Sequence, residues 1–116
     1  MTAHNLTKGR VIAARVIKAE SLRDRMRGLL GRDSMAADEG LWIAPCPQIH
    51  TFFMRFAIDV VFLDRELRVV RVAEDLGPWR LCPWLPWDLS AHSVLELKGG
   101  VLKGSVRVGD RIEFRG

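Results

Sequence analysis

A short apolar stretch of the chain carries four side chains that could do chemistry together. Residues 45–59 read PCPQIHTFFMRFAID and include the thiol of Cys46, the imidazole of His50, the guanidinium of Arg55 and the carboxylate of Asp59. A thiol or a carboxylate beside an imidazole is the arrangement that nucleophilic or acid–base catalysis needs. The stretch therefore fits a small hydrolase or transferase that uses Cys46 or Asp59 with His50. It also fits a binding site or an internal hydrogen-bond network.

The same thiol and imidazole raise the question of a metal site. Cys46, His50, Cys82 and His92 together form a set of soft ligands suited to zinc. However, the closely spaced cysteine pair of most zinc sites is absent, and nine residues of a proline-rich segment separate Cys82 from His92. A copper site that includes Met54 needs a geometry that spacing alone does not impose. We therefore expect no metal and no other cofactor.

Aromatic and cationic side chains further along the chain could line a binding cleft. Residues 74–88 read EDLGPWRLCPWLPWD, and their three prolines and three tryptophans predict a stiff loop outside regular structure. A stiff loop loses little entropy when it closes on a ligand. We expect Trp79 and Arg80 from this loop to join His50 and Arg55 around a small polar or anionic ligand.

The composition is that of a folded, water-soluble domain. The chain has 116 residues, of which 48% are hydrophobic and 28% charged, so it predicts one globular domain over 10–116 after a flexible N-terminal segment over 1–9. The net charge of +4 comes from residues 1–32, which hold eight Lys and Arg against two acidic residues. These cations are not interleaved with aromatic residues, so we do not expect nucleic acid as a partner. The oligomeric state stays open.

The N-terminal residues and the hydropathy pattern also bear on location. Residues 1–8 read MTAHNLTK and lack the apolar core of a signal peptide. No apolar run approaches the length that a membrane-spanning helix needs. These features predict a cytoplasmic protein that does not associate with membranes.

The residue pattern predicts an α+β fold. A helix is predicted from its N-cap Ser21 to Gly31, with Leu22, Met26 and Leu29 on one face. A hairpin turn is predicted at 64–67, and one helical turn at 101–105. Strands are predicted at 11–17, 41–43, from 50 onward, and at 68–73, 93–97 and 111–115. The architecture follows as a curved, mostly antiparallel sheet or small β-barrel with one main helix packed on it.

Several longer motifs have the order and spacing of a known family. They are GLLGR (28–32), GLWI (40–43), IHTFFMRFAIDVVFLD (49–64), VVRVAEDLGPWR (69–80), VLELKGG (94–100) and VGDRIEF (108–114). Over about residues 10–115 the sequence closely resembles the small prokaryotic proteins catalogued as domain of unknown function 192, although that family usually has proline where this chain has Ala57. The resemblance implies no established activity. It maps the family signature onto His50, Thr51, Met54, Arg55, Asp59, Trp79 and Arg80.

Three hypotheses follow from the sequence. The first is a single-domain binding or accessory protein in which those seven signature residues take a small ligand. The second is the hydrolase or transferase described above. The third is a structural or protein-interaction domain, in which His50, Arg55 and Asp59 would be buried and mutually satisfied.

Overall fold

The described part of the chain contains ten strands. The computed structural model describes residues 1–19, 32–45, 49–50, 54–79, 81–82 and 91–116, with the backbone alone at 49–50 and 81–82. In chain order the strands are β1 (Thr2–Asn5), β2 (Arg10–Ala13), β3 (Arg15–Ala19), β4 (Glu39–Ile43), β5 (Ile49–His50), β6 (Ile58–Leu63), β7 (Val69–Leu76), β8 (Leu81–Cys82), β9 (Ser93–Lys98) and β10 (Ile112–Arg115).

The described residues form an all-β fold, which corrects the α+β class that we predicted. None of them lies in a helix, and the main helix predicted from Ser21 to Gly31 lies outside the described residues. The helical turn predicted at 101–105 is a series of bends and turns. Lys103 and Gly104 have φ angles of 48° and 75°, and such left-handed backbone cannot continue a right-handed helix.

The described ranges hold no helix of the length and apolar character required to cross a membrane.

The strands form three sheets. The largest has five strands in the order β3-β4-β9-β6-β7, a second has the order β10-β1-β2, and β5 pairs with β8. The β3–β4 pair is parallel, while the other strand pairs within the described residues are antiparallel. Two-residue strand β8 lies inside the segment that we predicted to be a loop throughout.

Backbone hydrogen bonds join the two larger sheets on both sides. On one side Met1 and Val16 exchange hydrogen bonds, so the start of β1 pairs with β3. On the other side Arg68 and Arg111 form an isolated bridge, and Ile112 donates its N–H to the carbonyl of Leu67. The two sheets therefore wrap around a shared interior, as in a small barrel.

Alternate residues of the five-stranded sheet enter two separate cores, because successive side chains of a strand point to opposite faces. The inter-sheet core lies between the two larger sheets and contains Ala3, Ala13, Val16, Val61, Leu63, Val69, Leu95, Leu97, Leu102, Val106 and Ile112. The second core covers the opposite face and contains Ala19, Met35, Leu41, Ile43, Met54, Ile58, Val60, Phe62 and Val94. The central strands are thus buried on both faces, which explains why apolar residues occupy both faces of their sequences.

The predicted hairpin is confirmed. Strands β6 and β7 pair antiparallel, and the carboxylate of Asp64 fixes the turn by accepting the backbone N–H groups of Glu66 and Arg68 at 2.9 Å each. The strand predicted at 11–17 is divided at Ala14, because β2 and β3 join different sheets.

The N-terminus is part of the fold. We expected residues 1–9 to be flexible, but β1 is the central strand of the three-stranded sheet, between β10 and β2. Its residues Ala3 and Asn5 are fully buried. The sequence HNLTKGR gave no alternation strong enough to indicate this pairing, which depends on β10 at the far end of the chain.

Candidate functional site

The signature carboxylate Asp59 is an internal anchor. It lies on β6 and is fully buried. Its Oδ1 accepts backbone N–H groups from Asp75 at 2.7 Å and Gly100 at 3.0 Å, and its Oδ2 accepts that of Leu102 at 2.9 Å. A buried carboxylate satisfied by backbone donors holds chain segments together. The hydrolase hypothesis needs this carboxylate beside the imidazole of His50, and the side chain of His50 lies outside the description.

The other signature residues lie in different surroundings. Met54 is buried in the second core, whereas Trp79 is 59% exposed and has a left-handed φ of 63°. Arg55 donates to Asp33 at 3.2 Å in an exposed pair. His50 belongs to β5 by its backbone, and its side chain lies outside the description. Thr51 and Arg80 also lie outside the described residues, as does Cys46.

A basic surface cavity lies along the loop that Asp59 anchors. It has a volume of about 690 Å³. We call it the basic cavity, and it is lined by Lys8, Arg10, Val101, Leu102, Lys103, Gly104, Ser105 and Arg107. Lys8 comes from the turn between β1 and β2 and Arg10 from the start of β2, while the other two cations come from the loop between β9 and β10. The two segments are distant in sequence, so only the barrel brings these charges together.

A second buried carboxylate connects the two sides of the basic cavity. Asp110 Oδ2 accepts hydrogen bonds from Lys8 Nζ at 2.6 Å, Asn5 Nδ2 at 2.9 Å and the backbone N–H of Arg107 at 2.9 Å. The amide of Asn5 also donates to the carbonyl of Ser105 at 3.2 Å. Burial by itself would raise the pKa of Asp110, but the hydrogen bonds from Lys8, Arg107 and Asn5 outweigh it, and the pKa is lowered.

The basic cavity carries more positive charge than its own carboxylates neutralise. Lys8 is paired with Asp110, whereas Arg10, Lys103 and Arg107 form no ion pair with a described carboxylate. Glu74 lies nearby, where it accepts the backbone N–H of Gly104 at 3.2 to 3.3 Å. Its negative charge offsets one of these cations, and the others remain in excess. A concave surface lined by one sign of charge concentrates ions of the opposite sign. The arrangement is suited to binding an anion.

The described residues do not bring together a metal site. No group of three or more His, Cys, Asp or Glu side chains among them is placed to hold an ion. Of the zinc ligands considered from the sequence, Cys46 lies outside the described residues, while His50 and Cys82 are described by backbone only.

The sequence interpretation missed the residues that build the basic cavity. Lys103 precedes Gly104 in KGGVLKGSVR, and Arg107 ends that stretch, so cations spaced through a glycine-containing loop were the available signal. It also missed Glu96, which is fully buried. Its cross-strand neighbours Leu41 and Val60 belong to the second core, so Glu96 lies on that face. The available signal was a carboxylate in SVLELK, a strand with apolar residues on both faces.

Comparison with known families accounts for the motifs in this chain. The model of the family DUF192, described as an uncharacterized ACR, matches residues 3–114. The chain belongs to the DUF192 family. The resemblance inferred from the motifs is thereby confirmed, and the match extends into β1 and β10. DUF192 membership names no reaction and no ligand.

Curated relatives of this DUF192 chain include archaeal proteins. The UPF0127 protein of Pyrococcus furiosus is 34% identical over 116 residues, which cover 95% of each chain. The UPF0127 protein of Thermococcus sibiricus is 33% identical over 116 residues, which cover 95% of this chain and 72% of the relative. These names state no activity.

A solved structure shows the same fold. The crystal structure of a protein of unknown function from Novosphingobium aromaticivorans matches with a TM-score of 0.77 at 23% identity, over 97% of this chain and 82% of that one. At this identity the likeness concerns the fold alone.

Proposed function

We propose that this DUF192 protein binds a small multivalent oxyanion, such as pyrophosphate, in the basic cavity. The observation that carries the proposal is the convergence of Lys8, Arg10, Lys103 and Arg107 on one concavity, three of them without a carboxylate partner among the described residues. Arginine and lysine bind phosphoryl oxygens through charge-assisted hydrogen bonds, and arginine can do so with two parallel bonds.

The rigidity of the basic cavity supports the same function. Asp59 holds Gly100 and Leu102 at one end of the loop, while Asp110 holds Arg107 at the other. Anchors at both ends fix the backbone from which Lys103 and Arg107 project. A site whose backbone is already ordered loses less entropy on binding than a flexible one.

The sequence predicted a ligand-binding protein, and the proposal belongs to the same class. It places the ligand in the basic cavity rather than in the cleft predicted around His50. A cleft formed by the side chains of His50, Thr51 and Arg80 stays a prediction from the sequence. A cytoplasmic location also stays a prediction.

Isothermal titration of the full chain with sodium pyrophosphate tests the proposal. The informative variant is Arg107→Gln, because its backbone N–H still reaches Asp110 while the guanidinium is lost. We expect it to bind pyrophosphate at least about tenfold more weakly, since a hydrogen bond to a charged group contributes roughly 1.5 to 3 kcal/mol. Lys8 is a poorer choice, because its loss would leave the buried Asp110 with one donor fewer.

The matched control is Arg65→Gln, which removes the same charge from the exposed hairpin turn. Arg65 lines none of the cavities described above, so we expect this variant to bind like wild type. If wild type releases no binding heat with pyrophosphate, or if both variants lose affinity equally, the basic cavity is not a specific anion site. Circular dichroism of both variants checks that they are folded.

A further inference from the structure

We infer that the ligand of the basic cavity is a linear chain of phosphates rather than a compact anion, an inference that rests on the proposed function. The surface next to the basic cavity is also concave and carries cations. Two neighbouring depressions each share lining residues with the basic cavity, and both carry further cations. An extended positive track matches an extended polyanion better than it matches a single small ion.

The first neighbouring depression is lined mainly by the end of β9 and the loop that follows it. It has a volume of about 410 Å³ and shares Val101 and Lys103 with the basic cavity. Its own cation is Lys98, beside Gly99 and Gly100. Because Lys103 lines both concavities, one ligand chain can pass along it from Arg107 to Lys98.

The second neighbouring depression lies on the other side of Arg10. It has a volume of about 240 Å³, and it shares Arg10 with the basic cavity. Its lining includes His4 and Arg115. Arg115 pairs with Glu113, so this end of the track is less positive than the end at Lys98.

Shared residues link the cations of the three depressions, which we call the track. Arg10 links Arg115 to the cations of the basic cavity, and Lys103 links those cations to Lys98. Of these, Arg10, Lys98, Lys103 and Arg107 form no ion pair with a described carboxylate. Each is free to contact a phosphate, and each such contact would release counterions from the ligand.

The lining of the track also indicates which part of a ligand it contacts. Among the residues that the structure describes, none of those lining the three depressions is phenylalanine, tryptophan or tyrosine. Binding of single-stranded nucleic acid usually relies on bases stacked on such rings. These described residues can contact the charged phosphates of a ligand but offer no ring on which a base could stack. Inorganic polyphosphate carries such phosphates without bases.

Binding of three probes to the full chain tests this inference: pyrophosphate, polyphosphate of about 15 phosphates, and oligothymidylate of matched phosphate number. A long chain can bind in many positions and gains affinity for that reason alone. The decisive quantity is therefore the salt dependence of binding, in wild type and in Lys98→Gln. In wild type we expect a steeper dependence for polyphosphate than for pyrophosphate. In Lys98→Gln we expect the polyphosphate slope to fall by roughly 0.7, one lost phosphate contact, and pyrophosphate binding to stay unchanged.

The possible failures are distinguishable. Equal salt slopes for pyrophosphate and polyphosphate, or a Lys98→Gln effect on both, would overturn the chain inference and leave the proposed function intact. Absence of binding by both would overturn the two together. Tighter binding of oligothymidylate than of polyphosphate would mean that bases contribute, which also overturns the inference. Arg65→Gln serves again as the control and should change none of these values.

Discussion

Oδ2 of Asp59 accepts the backbone N–H of Leu102 at 2.9 Å, across 43 residues of sequence. The other oxygen of the same carboxylate accepts the N–H groups of Asp75 and Gly100. One side chain thus ties together β6, the end of β7 and the loop that lines the basic cavity. A substitution of Asp59 should therefore lower the stability of the barrel and also disorder the loop of the proposed binding site.

Replacement of Asp59 by asparagine tests this coupling. The amide keeps one acceptor oxygen but turns an NH₂ group toward backbone donors, so at least one buried N–H loses its partner. We expect the free energy of unfolding to fall by about 2 kcal/mol or more, measured by urea denaturation. Asp64→Asn is the control, because Asp64 also accepts two backbone N–H groups but in an exposed turn. Equal losses of unfolding free energy in Asp59→Asn and Asp64→Asn would show that burial of Asp59 does not increase its contribution to stability.

Gly99 is where the loop passes close to neighbouring backbone. A Cβ atom there would lie 2.9 Å from the carbonyl oxygen of Ala57, and Gly99 donates its N–H to that same oxygen at 3.1 Å. Gly99→Ala must shift backbone, so we expect a loss of about 1 to 3 kcal/mol in urea denaturation. Gly77→Ala is the control, because its added Cβ would meet nothing within 4 Å. A neutral Gly99→Ala would mean that the loop moves freely.

Glu39 should make the free energy of unfolding depend on pH in the acidic range. Its carboxylate accepts two hydrogen bonds from Arg32 at 2.9 and 3.0 Å and the N–H of Ala36 at 2.9 Å, which together lower the pKa from 4.5 to about 2. Because the folded pKa is depressed, this stabilisation is present above the unfolded pKa and is lost as pH falls from about 4.5 to about 2. The pair is partly exposed, so we expect it to contribute about 1 kcal/mol.

Urea denaturation of wild type and Glu39→Gln at several pH values measures this contribution. The two proteins should differ in stability near neutral pH and converge as the pH approaches 2. Glu66→Gln, in the exposed turn between β6 and β7, is the control. A difference between wild type and Glu39→Gln that persists unchanged at pH 2 would contradict the assignment.

Adjacent signature residues Met54 and Arg55 should respond very differently to truncation. Arg55 is 63% exposed and its partner Asp33 is 87% exposed, so we expect Arg55→Ala to shift the melting temperature by less than about 2 °C. Met54 is buried in the second core, and Met54→Ala should lower the stability by about 2 to 5 kcal/mol. Thermal unfolding of the two variants checks both values. A large loss for Arg55→Ala would mean that its pairing is structural.

Strand positions could be predicted wherever local pattern and burial agree. The hairpin of β6 and β7 combines apolar alternation with an Asp64 turn, and both signals are contained within neighbouring residues. Strands β4, β9 and β10 were found for the same reason. The fold class was wrong because the prediction packed one main helix on the sheet. In the described residues, the second sheet covers one face instead.

The basic cavity could not be predicted, because its charges come from opposite ends of the chain. Lys8 and Arg107 are almost a hundred positions apart, and the buried Asp110 connects them only after β1 pairs with β10. Asp59 stands out in the sequence, since a carboxylate in an apolar strand must have partners. Its partners are backbone N–H groups, which no side-chain pattern reveals.

The sequence by itself determined the family, the apolar strands and the turn at Asp64, because these depend on residue types and on local spacing. Tertiary structure alone decided which buried carboxylate holds which loop and where positive charge collects on the surface. The physical reason is that hydrogen bonding and electrostatic attraction act over a few ångströms in space. Residues such as Asp59 and Leu102, or Lys8 and Asp110, become neighbours only when the barrel has formed.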